Sequence, residues 1–121
     1  MLDKAFERIS RFHRELFTIR FGKNVVNLLC RDIVYLESNK RKVIVHTVRG
    51  EYEYYHKLDE AEEELLAISA DFVRIHKAYL VNMEHVEAFQ YEKLALRDGT
   101  ILSISEAHRA NVRRPLLGMG F

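Results

Sequence analysis

Short stretches of alternating apolar and polar residues, joined by short polar turns, are the feature that most constrains the fold of this chain. Residues 17–21 alternate apolar side chains with Thr18 and Arg20, a turn follows at residues 22–24, and residues 25–29 form a second apolar stretch. A period of two residues is typical of a β-strand with one buried face. Successive short strands with short turns favour an antiparallel β architecture.

The same pattern continues along most of the chain. Further strands are predicted at residues 33–36, 43–48, 51–55, 72–76, 78–81, 94–96 and 101–104. The Asp98-Gly99 pair predicts a tight hairpin turn between the last two of these strands. Residues 83–89 are compatible with either a short helical turn or a strand.

Three segments show helical spacing instead. Residues 2–16 place apolar side chains three or four positions apart, opposite a basic face. This favours a linker helix packed on this domain or on a neighbour, with binding to a membrane or nucleic acid as the alternative. Residues 58–68 predict a helix with a buried apolar stripe and an acidic exposed face. Ser105 is a candidate N-cap of a last helix, which Pro115 interrupts.

The composition is typical of one globular domain. The chain has 121 residues, of which 48% are hydrophobic and 31% are charged. It has no stretch of about 18 apolar residues, as a membrane span requires, and its N-terminus lacks the apolar core of a secretory signal. Cys30 is the only cysteine, which excludes an internal disulfide and a cysteine-based zinc site. We therefore expect a cytoplasmic protein without a membrane partner.

Residue patterns typical of enzymes are missing from the sequence. The six histidines are spread over different predicted elements, and none has the spacing of an H-E-x-x-H metal site. Glycine-rich phosphate loops and G-x-S-x-G motifs do not occur. Cys30 ends an apolar stretch, where a small core residue is the simpler explanation. We expect no enzymatic activity, no cofactor and no metal site.

The charges are unevenly distributed, although the net charge is only +1. Residues 51–71 hold eight acids and one base, so the remaining residues carry a net charge of +8. Cations gather in a polar loop predicted at residues 38–42 and near Arg74, Lys77 and Arg109. Each alone is typical of a solubilising surface residue, and pairing with a carboxylate is the alternative for Arg74. Together, several basic loops on a β scaffold resemble a surface that follows phosphates.

Two segments and a hairpin carry a resemblance to a known family. Residues 32–38, DIVYLES, resemble its strand I-x-Y-[IL]-E-S. Residues 72–82, FVRIHKAYLVN, closely match its most specific signature, and the hairpin over residues 94–105 completes the match. The family is the LytTR DNA-binding domain, and the resemblance covers residues 17–113.

The resemblance implies a mainly β fold, in which several small antiparallel sheets pack as an elongated β sandwich. A short acidic helix, a C-terminal helix and the N-terminal linker helix accompany the sheets. Residues 1–16 would form the linker helix and residues 17–121 the domain. Such domains are usually output modules of bacterial response regulators. Because the first 16 residues are too short for a receiver domain, we expect either an excised output domain or a stand-alone protein.

In this family, loops rather than a recognition helix contact successive major grooves. The matching positions here are Asn39, Lys40, Arg41, Lys42, Lys77, Glu106, Arg109 and Arg113. Arg41 suits a bidentate contact with guanine, whereas Lys40 and Lys42 suit phosphates. Arg109 and Arg113 would also contact phosphates, and Lys77 suits either role. Glu106 departs from the family, which often has arginine there: a carboxylate repels phosphate but can accept a hydrogen bond from cytosine.

The predicted function is sequence-specific binding of double-stranded DNA in transcription control. The implied partners are paired half-sites bound by two copies, as a homodimer on DNA, and a receiver domain with its sensor kinase. A separate regulator would replace the receiver if the chain stands alone. Two alternatives stay open: a protein-interaction module of the same fold without DNA binding, and a phosphate- or RNA-binding β domain outside the family. Single-strand binders stack bases on exposed aromatics. The candidates for this are Tyr52, Tyr54 and Tyr55, of which alternation buries at least one.

Overall fold

Ten β-strands and the α-helix of residues 58–66 make up most of residues 15–112, the part of the chain that the computed structural model describes, and residues 109–112 are also α-helical. The strands are β1 (Leu16–Phe21), β2 (Asn24–Leu29), β3 (Ile33–Asn39), β4 (Lys42–Thr47), β5 (Gly50–Tyr55), β6 (Phe72–His76), β7 (Tyr79–Asn82), β8 (Val86–Phe89), β9 (Lys93–Leu96) and β10 (Ile101–Ser103). The helix α1 spans Leu58–Leu66. Short 3₁₀ turns occupy Cys30–Asp32, Met83–His85 and Glu106–His108.

The strands form three antiparallel sheets, which confirms the predicted mainly β fold. One sheet pairs β1 with β2, a second has the order β10-β9-β8, and the third has the order β5-β4-β3-β7-β6. In the five-stranded sheet, β3 is central and pairs with both β4 and β7. The turn that joins β3 to β4 and the turn that joins β6 to β7 therefore lie side by side at one end of the sheet.

Two hydrophobic cores cover opposite faces of the five-stranded sheet. In the first core, Leu36 and Val45 of the sheet pack with Phe17 of the β1–β2 hairpin and Leu65 of α1. In the second core, Val81 and Ile75 pack with apolar residues of β8, β9 and β10, including Leu94, Leu96 and Leu102. Adjacent residues such as Leu80 and Val81 belong to different cores, as strand alternation requires.

The acidic helix forms where its spacing predicts. Leu58, Ala61 and Leu65 are buried on one side, whereas most of the acidic side chains are exposed. Asp59 and Glu60 lie in the first turn, where carboxylates complement the helix dipole. Within the described residues, no helix is long and apolar enough to cross a membrane.

The basic loop predicted at residues 38–42 is shorter than expected. Asn39 ends β3 and pairs with Lys42, which begins β4, so only Lys40 and Arg41 form the turn. The polar side chains suggested a loop, but a strand with an exposed face accepts such residues as well as a loop does. Lys40 has a φ of 60°, in the left-handed region that few non-glycine residues adopt.

Other predictions are corrected or lie outside the described residues. Leu16 is the first residue of β1 rather than the end of a helix. The segment 83–89 contains both predicted alternatives, a 3₁₀ turn at Met83–His85 and then β8. Glu15 lies in a turn, and residues 1–14 of the predicted linker helix, Arg113 and Pro115 lie outside the described residues.

Candidate nucleic-acid interface

Two basic hairpin turns project from the same end of the five-stranded sheet. β3 runs into the Lys40-Arg41 turn, and β7 begins directly after the Lys77-Ala78 turn. Because β3 and β7 are antiparallel, with Glu37 opposite Tyr79, the end of β3 meets the start of β7. The backbone N–H of Ser38 donates to the Ala78 carbonyl over 2.9 Å, which holds the two turns together.

The two turns border one cleft of about 860 Å³, here called the sheet-end cleft. Its basic lining comes from Lys40 and Arg41 on one turn, Lys77 on the other, and Lys57 before α1. The other lining residues are Ser38, Tyr55, His56, Leu58, Asp59, Glu60 and Arg74. Three of the predicted DNA-contacting side chains, Lys40, Arg41 and Lys77, are thus brought together.

Four of the five lysine and arginine side chains that line this cleft are open to solvent, and Arg74 is the exception. Lys40, Arg41, Lys57 and Lys77 are all exposed. Within residues 15–112, their side chains form no hydrogen bond or ion pair. Four unpaired cations around a concave surface can neutralise phosphates without first breaking contacts inside the domain.

Lys42, in contrast, is engaged within the domain. Its Nζ lies 3.0 Å from a carboxylate oxygen of Glu53 and 5.0 Å from the centre of the Tyr55 ring. The hydrogen bond to Glu53 raises the pKa of the Lys42 ammonium above its ordinary value. Asn39 and Lys42 border a second, smaller groove of about 460 Å³, which Lys40, Arg41, Glu53 and Tyr55 also line.

Glu106 and Arg109 lie on a different cleft, of about 750 Å³. The Arg109 guanidinium carbon lies 4.5 Å from the centre of the Tyr91 ring, a cation–π contact, and its Nε is buried without a hydrogen-bond partner among the described residues. Ser105 donates its backbone N–H to the Ile75 carbonyl over 2.9 Å, which fastens this segment to β6. Glu106 is exposed at the start of the 3₁₀ turn.

Arg74, the arginine of the family signature at residues 72–82, donates hydrogen bonds from all three guanidinium nitrogens within the domain. Arg74 Nη1 donates to carboxylate oxygens of Asp59 (2.7 Å) and Glu62 (2.9 Å). Its Nε donates to the His76 carbonyl over 2.7 Å, and Nη2 donates to the Lys77 carbonyl. The side chain is 12% exposed. Of the two alternatives left open by the sequence, the carboxylate pairing is the one observed.

Two other signature residues support the backbone of the domain. His76 Nδ1 accepts a hydrogen bond from the Ala78 backbone N–H over 3.0 Å, inside the second turn. Asn82 is 1% exposed, and its Nδ2 donates to the carbonyls of Cys30 and Ile33. These contacts give both side chains a structural role.

The described residues contain no cluster of metal ligands, and Cys30 is buried. No group of three or more histidine, cysteine, aspartate or glutamate side chains within residues 15–112 can hold a metal ion. Cys30 is 4% exposed, and burial raises the pKa of its thiol to about 11. A buried thiol of this kind is a poor nucleophile at neutral pH.

Tyr55 and Lys57 line the sheet-end cleft, but sequence reasoning did not connect them with the basic turns. Tyr55 is 76% exposed and pairs with Lys42 across β4 and β5. The turn at residues 48–49 sets this register, with Thr47 opposite Gly50, and so places Tyr55 beside the start of β4. Tyr54 is the buried tyrosine of the three, as alternation predicts.

Comparisons with known proteins agree with this architecture. The chain is similar to the sensory transduction protein LytT of Bacillus subtilis (strain 168), with 24% identity over 115 residues, and to LytT of Bacillus anthracis, with 26% identity over 118 residues. These matches cover 91% and 93% of this chain but 47% and 46% of the relatives. The chain therefore spans about half the length of the curated relatives it matches.

The fold is also similar to a solved LytTr DNA-binding domain from Bacillus cereus. The TM-score is 0.70 at 20% sequence identity, and the match covers 84% of this chain and 96% of that one. Residues 23–116 match the sequence profile described as the LytTr DNA-binding domain. The match covers most of the chain, and the chain therefore belongs to the LytTr DNA-binding domain family.

Proposed function

We propose that this domain binds double-stranded DNA in a sequence-specific manner and acts as the output domain of a response regulator. Family membership supports DNA binding in general. The observation that carries the proposal for this chain is the pair of basic turns, Lys40-Arg41 and Lys77-Ala78, at one end of the five-stranded sheet. Each hairpin turn is narrow enough to enter a major groove, which is about 12 Å wide.

The exposed cations divide into two proposed roles. Arg41 has a planar guanidinium that can bind O6 and N7 of one guanine together, and each such pair gives about 1–3 kcal/mol of discrimination. Lys40 and Lys57 suit phosphates, where a point charge is sufficient. Lys77 lies on the second turn and contacts either a base or a phosphate.

The second cleft supplies the flanking contacts in this proposal. Arg109 binds phosphate on one side of the groove contacts, and Arg113 keeps the same role as a prediction from the sequence alone. Glu106 faces a position where it either repels phosphate or accepts a hydrogen bond from cytosine. Lys42 contributes less than the sequence predicts, because Glu53 neutralises its charge.

The whole protein and its partners belong to the same proposal. The similarity to LytT over about half of that protein supports a preceding receiver domain and a cognate sensor kinase, or a separate regulator if the chain stands alone. Two copies would occupy neighbouring half-sites as a homodimer on DNA. Such a regulator acts in the cytoplasm, where its operators are.

The test is selection from a randomised duplex pool by the 121-residue chain, followed by sequencing of the bound fraction. We expect enrichment of one motif. Fluorescence titration of that duplex should give a log–log salt slope corresponding to about three to five neutralised phosphates. A slope near zero, or a bound fraction as random as the input, would contradict DNA recognition and favour a protein-interaction module.

Matched variants test the division of roles. Arg41→Ala should lose preference at one base pair of the selected motif, whereas Lys40→Ala should weaken all duplexes about equally. Arg20→Ala and Lys93→Ala are the controls, because both cations are exposed and neither lines either cleft. Equal behaviour of Arg41→Ala and Lys40→Ala on selected and random duplexes would refute the proposed division.

A further inference from the structure

Arg74 lies beside the proposed DNA surface, yet its guanidinium is directed into the domain. Its side chain is 12% exposed, and Nη1 bonds to both Asp59 and Glu62 of α1. Its Nε and Nη2 bond to the carbonyls of His76 and Lys77. One planar side chain thus joins the second turn to the helix across the sheet-end cleft.

We propose that Arg74 is a positioning residue, which fixes the Lys77 turn against α1 so that the Lys77 side chain meets one defined base pair. This inference rests on the proposed function. Arg74 itself does not contact DNA in this proposal, because the two carboxylates and two carbonyls already use most of its donors.

The local backbone explains why this turn needs support. The pairing of β6 with β7 shifts in register between Arg74 and His76, so the ladder is irregular where the turn begins. The bond from the Ala78 N–H to His76 Nδ1 ties the turn only to itself. Arg74 bonds to the carbonyls of His76 and Lys77 in the turn and also to carboxylates of α1. Its side chain therefore ties the turn to a separate element.

The carboxylates have a second effect in this arrangement. Asp59 and Glu60 line the same cleft as the cations and would repel a phosphate that entered deeply. Pairing with Arg74 neutralises part of this charge, since Asp59 lies 2.7 Å from Nη1. The Arg74–Asp59 ion pair therefore forms part of the cleft lining, and the unpaired cations Lys40, Arg41, Lys57 and Lys77 remain available to DNA.

The experiment is a double-mutant cycle between Arg74→Lys and Lys77→Ala, measured on the selected duplex and on random duplex. Arg74→Lys keeps the positive charge but loses the planar fork that bonds both carbonyls. We expect Lys77→Ala and Arg74→Lys each to weaken the selected duplex about tenfold. In the Lys77→Ala background, Arg74→Lys should add less than about twofold, because coupled residues are not additive.

Three outcomes would overturn the positioning role. Additive losses in the cycle would mean that Arg74 acts independently of Lys77. A salt slope reduced by about one unit in Arg74→Gln but unchanged in Arg74→Lys would indicate a direct phosphate contact. An equal loss on selected and random duplexes, with a lower melting temperature, would indicate only general destabilisation.

A milder variant guards against misfolding. Asp59→Asn combined with Glu62→Gln keeps the carbonyl bonds but weakens the anchor on α1. Because the loss of two acids raises affinity for any duplex, we expect the effect as a lower ratio of selected to random affinity, confined to the base pair that Lys77 contacts. Glu63→Gln is the control, because Glu63 is exposed on the same helix and does not bond to Arg74. If Glu63→Gln lowers the ratio of selected to random affinity as much as the double variant does, Asp59 and Glu62 do not anchor the turn.

A readout without DNA separates this inference from the proposed function. In amide NMR spectra, Arg74→Lys should shift the resonances of residues 76–79 and speed their hydrogen exchange, and Arg20→Lys should not. If the wild-type chain binds no duplex but these amides respond, the proposed function fails and the clamp on the turn stands. Unchanged amides would refute the clamp whatever the DNA result.

Discussion

Glu53 holds the Lys42 ammonium at 3.0 Å, on the strand next to the basic turn. The two residues are diagonal neighbours on one face of β4 and β5, because Lys42 lies opposite Tyr55 in the antiparallel register. Lys42 is therefore paired within the domain, whereas Lys40 and Arg41, its neighbours in sequence, have unpaired side chains among the described residues.

Glu53→Gln should release Lys42 toward DNA. Removing the carboxylate frees one cation at the edge of the proposed interface, so affinity for any duplex should rise and the salt slope should steepen by up to about one unit. Fluorescence titration at several salt concentrations measures both quantities. Glu87→Gln removes one exposed acid of β8 and is the control for net charge. If both variants bind alike, Lys42 is not released.

Lys40→Gly should stabilise the fold relative to Lys40→Ala while both lose the same DNA affinity. Lys40 has a φ of 60°, a conformation that costs L-residues with a Cβ about 1–2 kcal/mol and costs glycine little. Urea denaturation should therefore give the glycine variant a higher free energy of unfolding than the alanine variant, by about 1 kcal/mol. Equal stability would show that the turn relaxes without strain.

Most of the fold could be predicted because its strands alternate and its turns are short. The β1–β2 hairpin and the buried stripe of α1 follow directly from spacing. The boundaries of the basic turn did not follow, because Asn39 and Lys42 are polar and a polar residue at a strand end gives no periodic signal. The alternation of apolar and polar residues also gave no sign of the irregular pairing of β6 with β7.

The candidate site could be predicted only as a set of separate cations. The family resemblance predicts DNA contacts at Lys40, Arg41 and Lys77, but their shared cleft depends on β3 pairing with both β4 and β7. The bonds of Arg74 to α1 span 12 and 15 residues of sequence and depend on how the helix packs against β6. Such tertiary contacts have no local signature.

Asn82→Ala should strongly destabilise the domain. The buried amide donates to the carbonyls of Cys30 and Ile33 and accepts a hydrogen bond from the Glu84 backbone N–H. Its removal leaves three buried or half-buried backbone groups without these partners, at a cost of roughly 3 kcal/mol or more. Urea denaturation measures the loss, with exposed Asn111→Ala as the control. A change below about 1 kcal/mol would mean that water replaces the amide.

Cys30 should resist alkylation in the folded chain at pH 8 and react readily in urea. Its side chain is 4% exposed, and burial raises its pKa from 9.0 to about 11. As the pH rises, the unfolded chain therefore loses the thiol proton first. The free energy of unfolding should keep this contribution below pH 9.0 and lose it as the pH approaches about 11.

Cys30→Ala is the control for the titration, since it removes this thiol and leaves the other groups in place. The difference in unfolding free energy between wild type and Cys30→Ala should be constant below pH 9.0 and should shrink above it. Fast alkylation of the folded chain at pH 8 would show that the thiol is reached by local opening.

Glu106→Arg should convert a repulsive position into an attractive one. Glu106 is exposed at the start of the 3₁₀ turn, close to the strand that leads into the Lys77 turn, and it borders the cleft that holds Arg109. Replacing the carboxylate with a guanidinium changes the local charge by two units. Affinity for any duplex should rise, and the salt slope should steepen by up to about one unit. The gain should be largest for duplexes with guanine at the facing position.

Glu106→Gln, which removes the charge without adding a cation, should give an intermediate gain. Loss of binding to the selected motif, with binding to random duplex unchanged, would instead show that Glu106 accepts a hydrogen bond from cytosine. Unchanged affinity in both variants would remove this position from the DNA interface.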